Sequence, residues 1–209
     1  MPVDPNSMYR WRTWTPEQRQ KILQERQSRM NPFHSPPHKV SDENCLYMIT
    51  AACFEHRSII GYSERRLSQF ATALCDLIAE CCSQLFAWVV LPNHYHFLAQ
   101  IDDLKLLFSE LGMLHGRTSY EWNRDESTQG RQVWCKAAET VMKSDGHFFA
   151  TLNYVLNNPV HHGYCKKWLD WPYSSANDYL ENLGREKALQ IWQSYPLYNF
   201  GQAWDPPEL

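Results

Sequence analysis

Trp88-Val89-Val90-Leu91-Pro92-Asn93-His94-Tyr95-His96-Phe97-Leu98-Ala99-Gln100 is the stretch whose reading decides the fold. An apolar run enters, a Pro-Asn corner interrupts it, and a second extended run leaves with two histidines near its start. Strand side chains alternate between faces, so His94 and His96 share one face while Tyr95 and Phe97 share the other. The short corner predicts a hairpin of strands over 86–91 and 95–101. Two imidazoles on one face can converge on a metal ion or a phosphate, and the rest of the chain must then supply further ligands and the reacting group.

Upstream of the hairpin, the mostly apolar run over 45–54 reads as a buried strand. Ser63 opens an amphipathic helix through about residue 85, with Leu67, Phe70, Ala71, Leu74, Leu77, Ile78 and Cys81 on one stripe. Downstream, a helical stretch over 104–123 ends in the polar segment 123–130, and 131–139 reads as a fourth strand. Ser144 caps a helix that runs to a stop at Asn157-Asn158-Pro159, with Phe148, Phe149, Leu152, Val155 and Leu156 as its core stripe. A proline-punctuated segment with Trp168, Trp171 and Pro172 follows, then two short helices beginning near Ser174 and Arg185. Far upstream, Thr15-Pro16-Glu17-Gln18 has the cap, first-position proline and capping-box glutamine of a helix start, and that helix runs to about residue 30. Asn31-Pro32 and Ser35-Pro36-Pro37-His38 end it in a stiff linker. This order fits an α+β, ferredoxin-like antiparallel sheet with helices on one face, plus an N-terminal basic helix and a C-terminal helical tail.

The 209 residues, 44% hydrophobic and 21% charged, are ordinary globular values and suffice for a sizeable core. The formal charge of −3 argues against a protein that coats nucleic acid by overall basicity. Residues 1–40 nevertheless carry seven Lys and Arg against three Asp and Glu, a net +4, which leaves −7 on the remainder. A basic arm on an acidic body can hold phosphates locally. Seven cysteines show no Cys-x-x-Cys pair, no signal peptide is read at the start, and no apolar run approaches membrane-spanning length. We read free thiols in a reducing cytoplasm and no membrane partner.

On the Ser144 helix, Tyr154 lies off the apolar stripe and Asn158 follows one turn later on the same side, so a phenol and a carboxamide face one place. Val90-Leu91-Pro92-Asn93-His94-Tyr95-His96, followed by Asn153-Tyr154-Val155-Leu156-Asn157-Asn158-Pro159-Val160-His161-His162-Gly163-Tyr164, resembles the single-tyrosine HUH transposases. More closely, it is similar to the REP-associated tyrosine transposases, and Trp171-Pro172-Tyr173-Ser174-Ser175 matches the segment that typically follows there. The resemblance covers roughly residues 45–180. It implies three regions: a basic arm and helix over 1–40, a nuclease domain over 41–165, and a helical extension over 166–209.

The resemblance also implies roles. His94 and His96 would be metal ligands, Asn158 a polar third ligand, Tyr154 the nucleophile, and Mg²⁺ or Mn²⁺ the cofactor. The family cleaves single-stranded DNA beside short hairpins, leaves a 5′-phosphotyrosine link and a free 3′-hydroxyl, and can rejoin strands. Two imidazoles and a neutral amide leave positions open for phosphate and water, which suits such cations better than a closed zinc site.

The chain departs from its resemblance where many relatives are more basic, at Val133-Trp134-Cys135-Lys136-Ala137-Ala138-Glu139. Phosphate contacts then fall to Arg10 and Arg12 on the arm, Arg117, Arg124 and Arg131 around the polar loop, and Lys166 with Lys167. Trp11, Trp14 and Trp122 are candidates for stacking unpaired bases. His115, His161 and His162 read as surface or packing residues. Two further readings stand beside the transesterase: a domesticated hairpin-binding protein with little or no catalysis, and a metal hydrolase in which water replaces the tyrosine. Whether Tyr154 serves its own site or that of a second copy depends on where its helix sits.

Overall fold

Four strands, all antiparallel, carry the site: β1 (Leu46–Ala52), β2 (Gln84–Val90), β3 (His94–Gln100) and β4 (Ala138–Val141), in the order β2-β3-β1-β4. The computed structural model describes residues 15, 17, 46–198 and 200. Arg10, Trp11, Arg12 and Trp14, and all of the expected N-terminal helix but Glu17, lie outside the described residues. Three longer helices complete the body: α1 (Glu64–Cys81), α2 (Leu104–Asp125) and α3 (Asp145–His161). Two short helices follow, α4 (Ala176–Leu183) and α5 (Arg185–Ser194). Among the described residues no helix is long and apolar enough to cross a membrane.

Each long helix starts where a side-chain oxygen takes up an otherwise unsatisfied backbone N–H. Ser63 Oγ accepts from Arg66 N at 3.2 Å, Asp103 Oδ1 from Leu106 N at 2.9 Å and Ser144 Oγ from His147 N at 3.2 Å. The α1 stripe then buries Leu67, Phe70, Ala71, Leu74 and Ile78 against Tyr47, Ile49, Tyr95 and Phe97 of the sheet.

The antiparallel α+β architecture is as expected, but the helices do not all lie on one face. Alternate residues of the central strands are apolar on both sides, so both faces need cover. Tyr47, Ile49, Tyr95 and Phe97 meet α1 and α2, whereas Met48, Ala87, Val89 and Leu98 meet Leu152, Val155 and Leu156 of α3. His94 and His96 alternate with Tyr95 and Phe97, which turns the imidazoles toward α3. The segment Trp171–Ser175 closes the free edge of β2. Val90 N donates to Tyr173 O at 2.9 Å, Ser175 N to Trp88 O at 3.0 Å, and Trp88 N to Ser175 Oγ at 2.9 Å.

Three boundaries differ from the sequence reading, the first being that α1 ends at Cys81 rather than near residue 85, so that Gln84 and Leu85 already belong to β2. The fourth strand covers only Ala138–Val141, with an isolated bridge between Cys53 and Trp134. Trp134 turns into the core instead, stacks on His115 with centroids 4.2 Å apart and donates its Nε1–H to Thr118 Oγ1 at 3.0 Å. Pro159 does not stop α3, which continues to His161. The termination comes later, at Gly163 with φ +73°, where Tyr164 N donates to Pro159 O at 2.9 Å and Gly163 N to Val160 O at 3.0 Å. That is a Schellman ending, and the positive φ suits glycine.

An ionic knot ties α1 to the end of α2. Arg66 Nη1 donates to Glu126 Oε1 at 2.7 Å and to Ile59 O at 3.0 Å, and Arg131 donates through both terminal nitrogens to the same carboxylate at 3.0 and 3.1 Å. The hydrogen bond from Arg131 is the largest effect on the Glu126 carboxyl; burial opposes it, but the hydrogen bond from Arg66 and the charges of both guanidiniums add to it and hold the group below its usual range. Replacing Glu126 by Gln leaves two guanidiniums facing each other, and chemical denaturation should show a loss of about 3 kcal/mol at neutral pH. The lowered folded value means this contribution is present above the ordinary carboxylate range and disappears as pH falls through it. The variant should therefore lose its difference from wild type in acid.

Candidate active site

The corner that delivers the histidines is held from several directions. Leu91 N donates to His94 O at 2.8 Å and closes the turn, Gly61 N donates to Pro92 O at 2.9 Å, and Cys53 N donates to Asn93 O at 2.7 Å. Gly61 is there because nothing larger fits: a Cβ would collide with the Cβ and Cα of Pro92. Gly61→Ala should push the corner out of place and cost about 1–3 kcal/mol, read as a lower thermal midpoint.

Four buried side chains meet beneath this corner. His94 and His96 are each 1% exposed, Tyr154 is 2% exposed and Asn158 is fully buried. The His94 and His96 rings are 5.0 Å apart by centroids, and the Tyr154 ring lies 5.4 Å from His96. His94 Nε2 is 3.0 Å from Asn158 Oδ1. One turn of α3 separates Tyr154 from Asn158, so the helix presents phenol and amide to the same patch of β3. A single chain thus brings together all four residues singled out as nucleophile and ligands.

The donor set can be tested for a divalent cation. Cis ligands at about 2.1 Å in the octahedral geometry of Mg²⁺ are about 3.0 Å apart, which is the separation of His94 Nε2 and Asn158 Oδ1. Asn158 Nδ2 is buried without a hydrogen-bond partner, so the amide makes its contact with His94 through one end only. Among the described residues no three His, Cys, Asp or Glu side chains are grouped to hold a metal. No closed site of those donors is built among the described residues, and two imidazoles with one amide oxygen leave coordination positions open for phosphate and water.

His162, read from sequence as a packing or surface residue, stands beside this cluster with its ring 4.8 Å from that of His94. The helix ending at Gly163 brings it there, and only the position of that ending could have revealed it. His115 does lie in the core as a packing residue. Its Nε2 is 3.1 Å from the Tyr95 hydroxyl, and burial pushes its imidazole down to about 4, so it is neutral at physiological pH.

The proposed DNA contacts fare unevenly. Trp122 is 7% exposed and packs against Phe70 and Trp134, so it is a core residue and offers no face to a base. Arg131 is committed to Glu126 and to Asn123 Oδ1, at 2.9 Å, and is a structural cation. Arg124 is exposed but donates to Asp125 at 2.8 and 3.0 Å. Arg117, Lys166 and Lys167 are exposed.

With this geometry in hand, comparison with known proteins places the chain among similar molecules. No protein-family model matches it. It is 28% identical over 152 residues to a Haemophilus influenzae protein described as a REP-associated tyrosine transposase, covering 63% of this chain and 84% of the relative. A solved structure of a REP-associated tyrosine transposase bound to a REP hairpin superposes with a TM-score of 0.54 at 19% identity, over 68% of this chain and 84% of that one. The fold is therefore shared with that transposase, and the resemblance read from the three motifs agrees with both comparisons.

Proposed function

We propose that this chain is a transposase-like transesterase that cleaves and rejoins single-stranded DNA beside short, REP-like hairpins. The observation that carries the reading is the convergence of Tyr154, His94, His96 and Asn158 in one buried cluster on the α3 face of the sheet. A binding protein has no need of a phenol, two imidazoles and an amide at a common point. The likeness to a transposase bound to a REP hairpin supports the hairpin as substrate.

In this reading the phenolic oxygen of Tyr154 attacks a phosphorus, the bond to the 3′-oxygen breaks, and the phenolic proton is transferred overall to that leaving oxygen. The product is a 5′-phosphotyrosine and a free 3′-hydroxyl. A phenol has a pKa of about 10 and is a competent leaving group, so a second 3′-hydroxyl can reverse the step without nucleotide hydrolysis. His94, His96 and Asn158 would hold Mg²⁺ or Mn²⁺, which supplies charge stabilisation at the phosphate when bound. Arg117, Lys166 and Lys167 would take up flanking phosphates, and Arg10, Arg12, Trp11 and Trp14 on the arm would extend that contact. Residues 41–165 would form the catalytic unit, 166–209 its extension, and the reducing cytoplasm its compartment.

Access requires movement. With Tyr154 at 2% exposure and the Phe200 ring 6.2 Å from it, side chains that now cover the phenol must shift to admit a phosphate. Since one chain assembles all four residues, the reaction would be completed within one copy.

The test is incubation of the full chain with a hairpin-bearing oligonucleotide and Mn²⁺, followed by a denaturing gel. A protein–DNA adduct is expected. Cleavage without adduct would favour the hydrolase, and hairpin binding without cleavage would favour the domesticated binder.

A further inference from the structure

We infer that Asn93 is the positioning residue of this site: it locks His94 in the tautomer that turns an Nε2 lone pair toward the cation position. The inference rests on the reading of His94 as a ligand, but its geometry stands by itself.

Asn93 is 3% exposed and held at both ends of its amide. Its Nδ2 donates to His56 O at 3.2 Å, which fixes which end is nitrogen and leaves Oδ1 facing His94 Nδ1 at 2.7 Å. An amide oxygen can only accept, so His94 Nδ1 must carry the proton. In the neutral ring Nε2 is then a lone pair, and it faces Asn158 Oδ1, a second acceptor, at 3.0 Å. The Asn158 amide can meet that lone pair in two ways, with its oxygen beside a shared cation or, turned over, with its Nδ2–H donating, and both require His94 Nε2 to be unprotonated. The outer-sphere partner of a ligating histidine sets its tautomer and orientation in just this way.

The backbone that presents the His56 carbonyl supports the assignment. Glu55 and His56 have φ +55° and +50°, two consecutive non-glycine residues in the left-handed region. Such conformations cost free energy and persist where surrounding structure demands them. Here the demand is visible, because this turn directs the carbonyl that orients Asn93. The chain of contacts runs from the strained turn through the amide to the imidazole.

The test uses the full chain with ¹⁵N-labelled histidine at about pH 8, above the ordinary imidazole range. The His94 tautomer is read from two-bond ¹H–¹⁵N correlations, assigned with His94→Gln, and Mn²⁺ affinity is measured by electron paramagnetic resonance. Wild type should show the Nδ1–H form. Asn93→Ala should shift the ring toward Nε2–H and weaken Mn²⁺ binding by about ten- to a hundredfold. Asn93→Asp keeps an acceptor and should keep the Nδ1–H form. An Nε2–H tautomer in the wild type overturns the inference whether or not Asn93→Ala folds. So does Asn93→Ala with tautomer unchanged and affinity within about twofold of wild type, well short of the loss expected of an outer-shell substitution. If wild type binds no Mn²⁺, the cation reading fails, and the tautomer alone decides the role of Asn93.

Discussion

Tyr154→Phe should abolish the protein–DNA adduct, lowering it by at least about a thousandfold, as removal of an enzyme nucleophile does. The substitution deletes one oxygen and keeps the ring, so the contacts with His96 at 5.4 Å and Phe200 at 6.2 Å survive. Thermal stability should change by no more than about 1.5 kcal/mol, the scale of one hydrogen bond. Hairpin affinity should be unchanged in a gel-shift measurement, because no phosphate-binding cation is touched. Persistent adduct in this variant would mean that another side chain is the nucleophile. Persistent cleavage without adduct would mean that water attacks.

The second large effect is expected at the histidines. His96→Gln retains much of the side-chain volume inside a residue that is 1% exposed, which separates loss of a ligand from creation of a cavity. Charge stabilisation by a bound metal is worth several kcal/mol, so cleavage should fall on the order of a thousandfold. Mn²⁺ affinity, measured without DNA, should fall with it. His94→Gln should behave alike. An unaltered Mn²⁺ affinity in both variants would remove the cation from this part of the molecule.

The alternation of the hairpin made much of this legible. His94 and His96 against Tyr95 and Phe97 is a period-two statement, and strand geometry leaves it little freedom. The helix caps at Ser63 and Ser144 were legible for the same reason, since a hydroxyl before an apolar stripe has a local role. What escaped was set by distant partners. Met48 and Leu98 look like ordinary strand residues, and only assembly shows that their face must be covered by α3. Trp122 and Arg131 have the composition of nucleic-acid contacts, yet the packing of Phe70 and the charge of Glu126 claim them. Pro159 reads as a helix stop, but a missing N–H removes one hydrogen bond and a well-packed helix continues through it. Asn93 reads as a turn residue, and its amide gains a function only from the His56 carbonyl, thirty-seven positions away in sequence.

The most direct measurement is peptide mapping by mass spectrometry of the chain after reaction with a hairpin oligonucleotide and Mn²⁺, with the DNA trimmed by nuclease. The account predicts a 5′-nucleotide phosphate on the peptide containing Tyr154, attached to its phenolic oxygen. The same mass on a different residue, or an unmodified Tyr154 peptide alongside fully cleaved DNA, would contradict it.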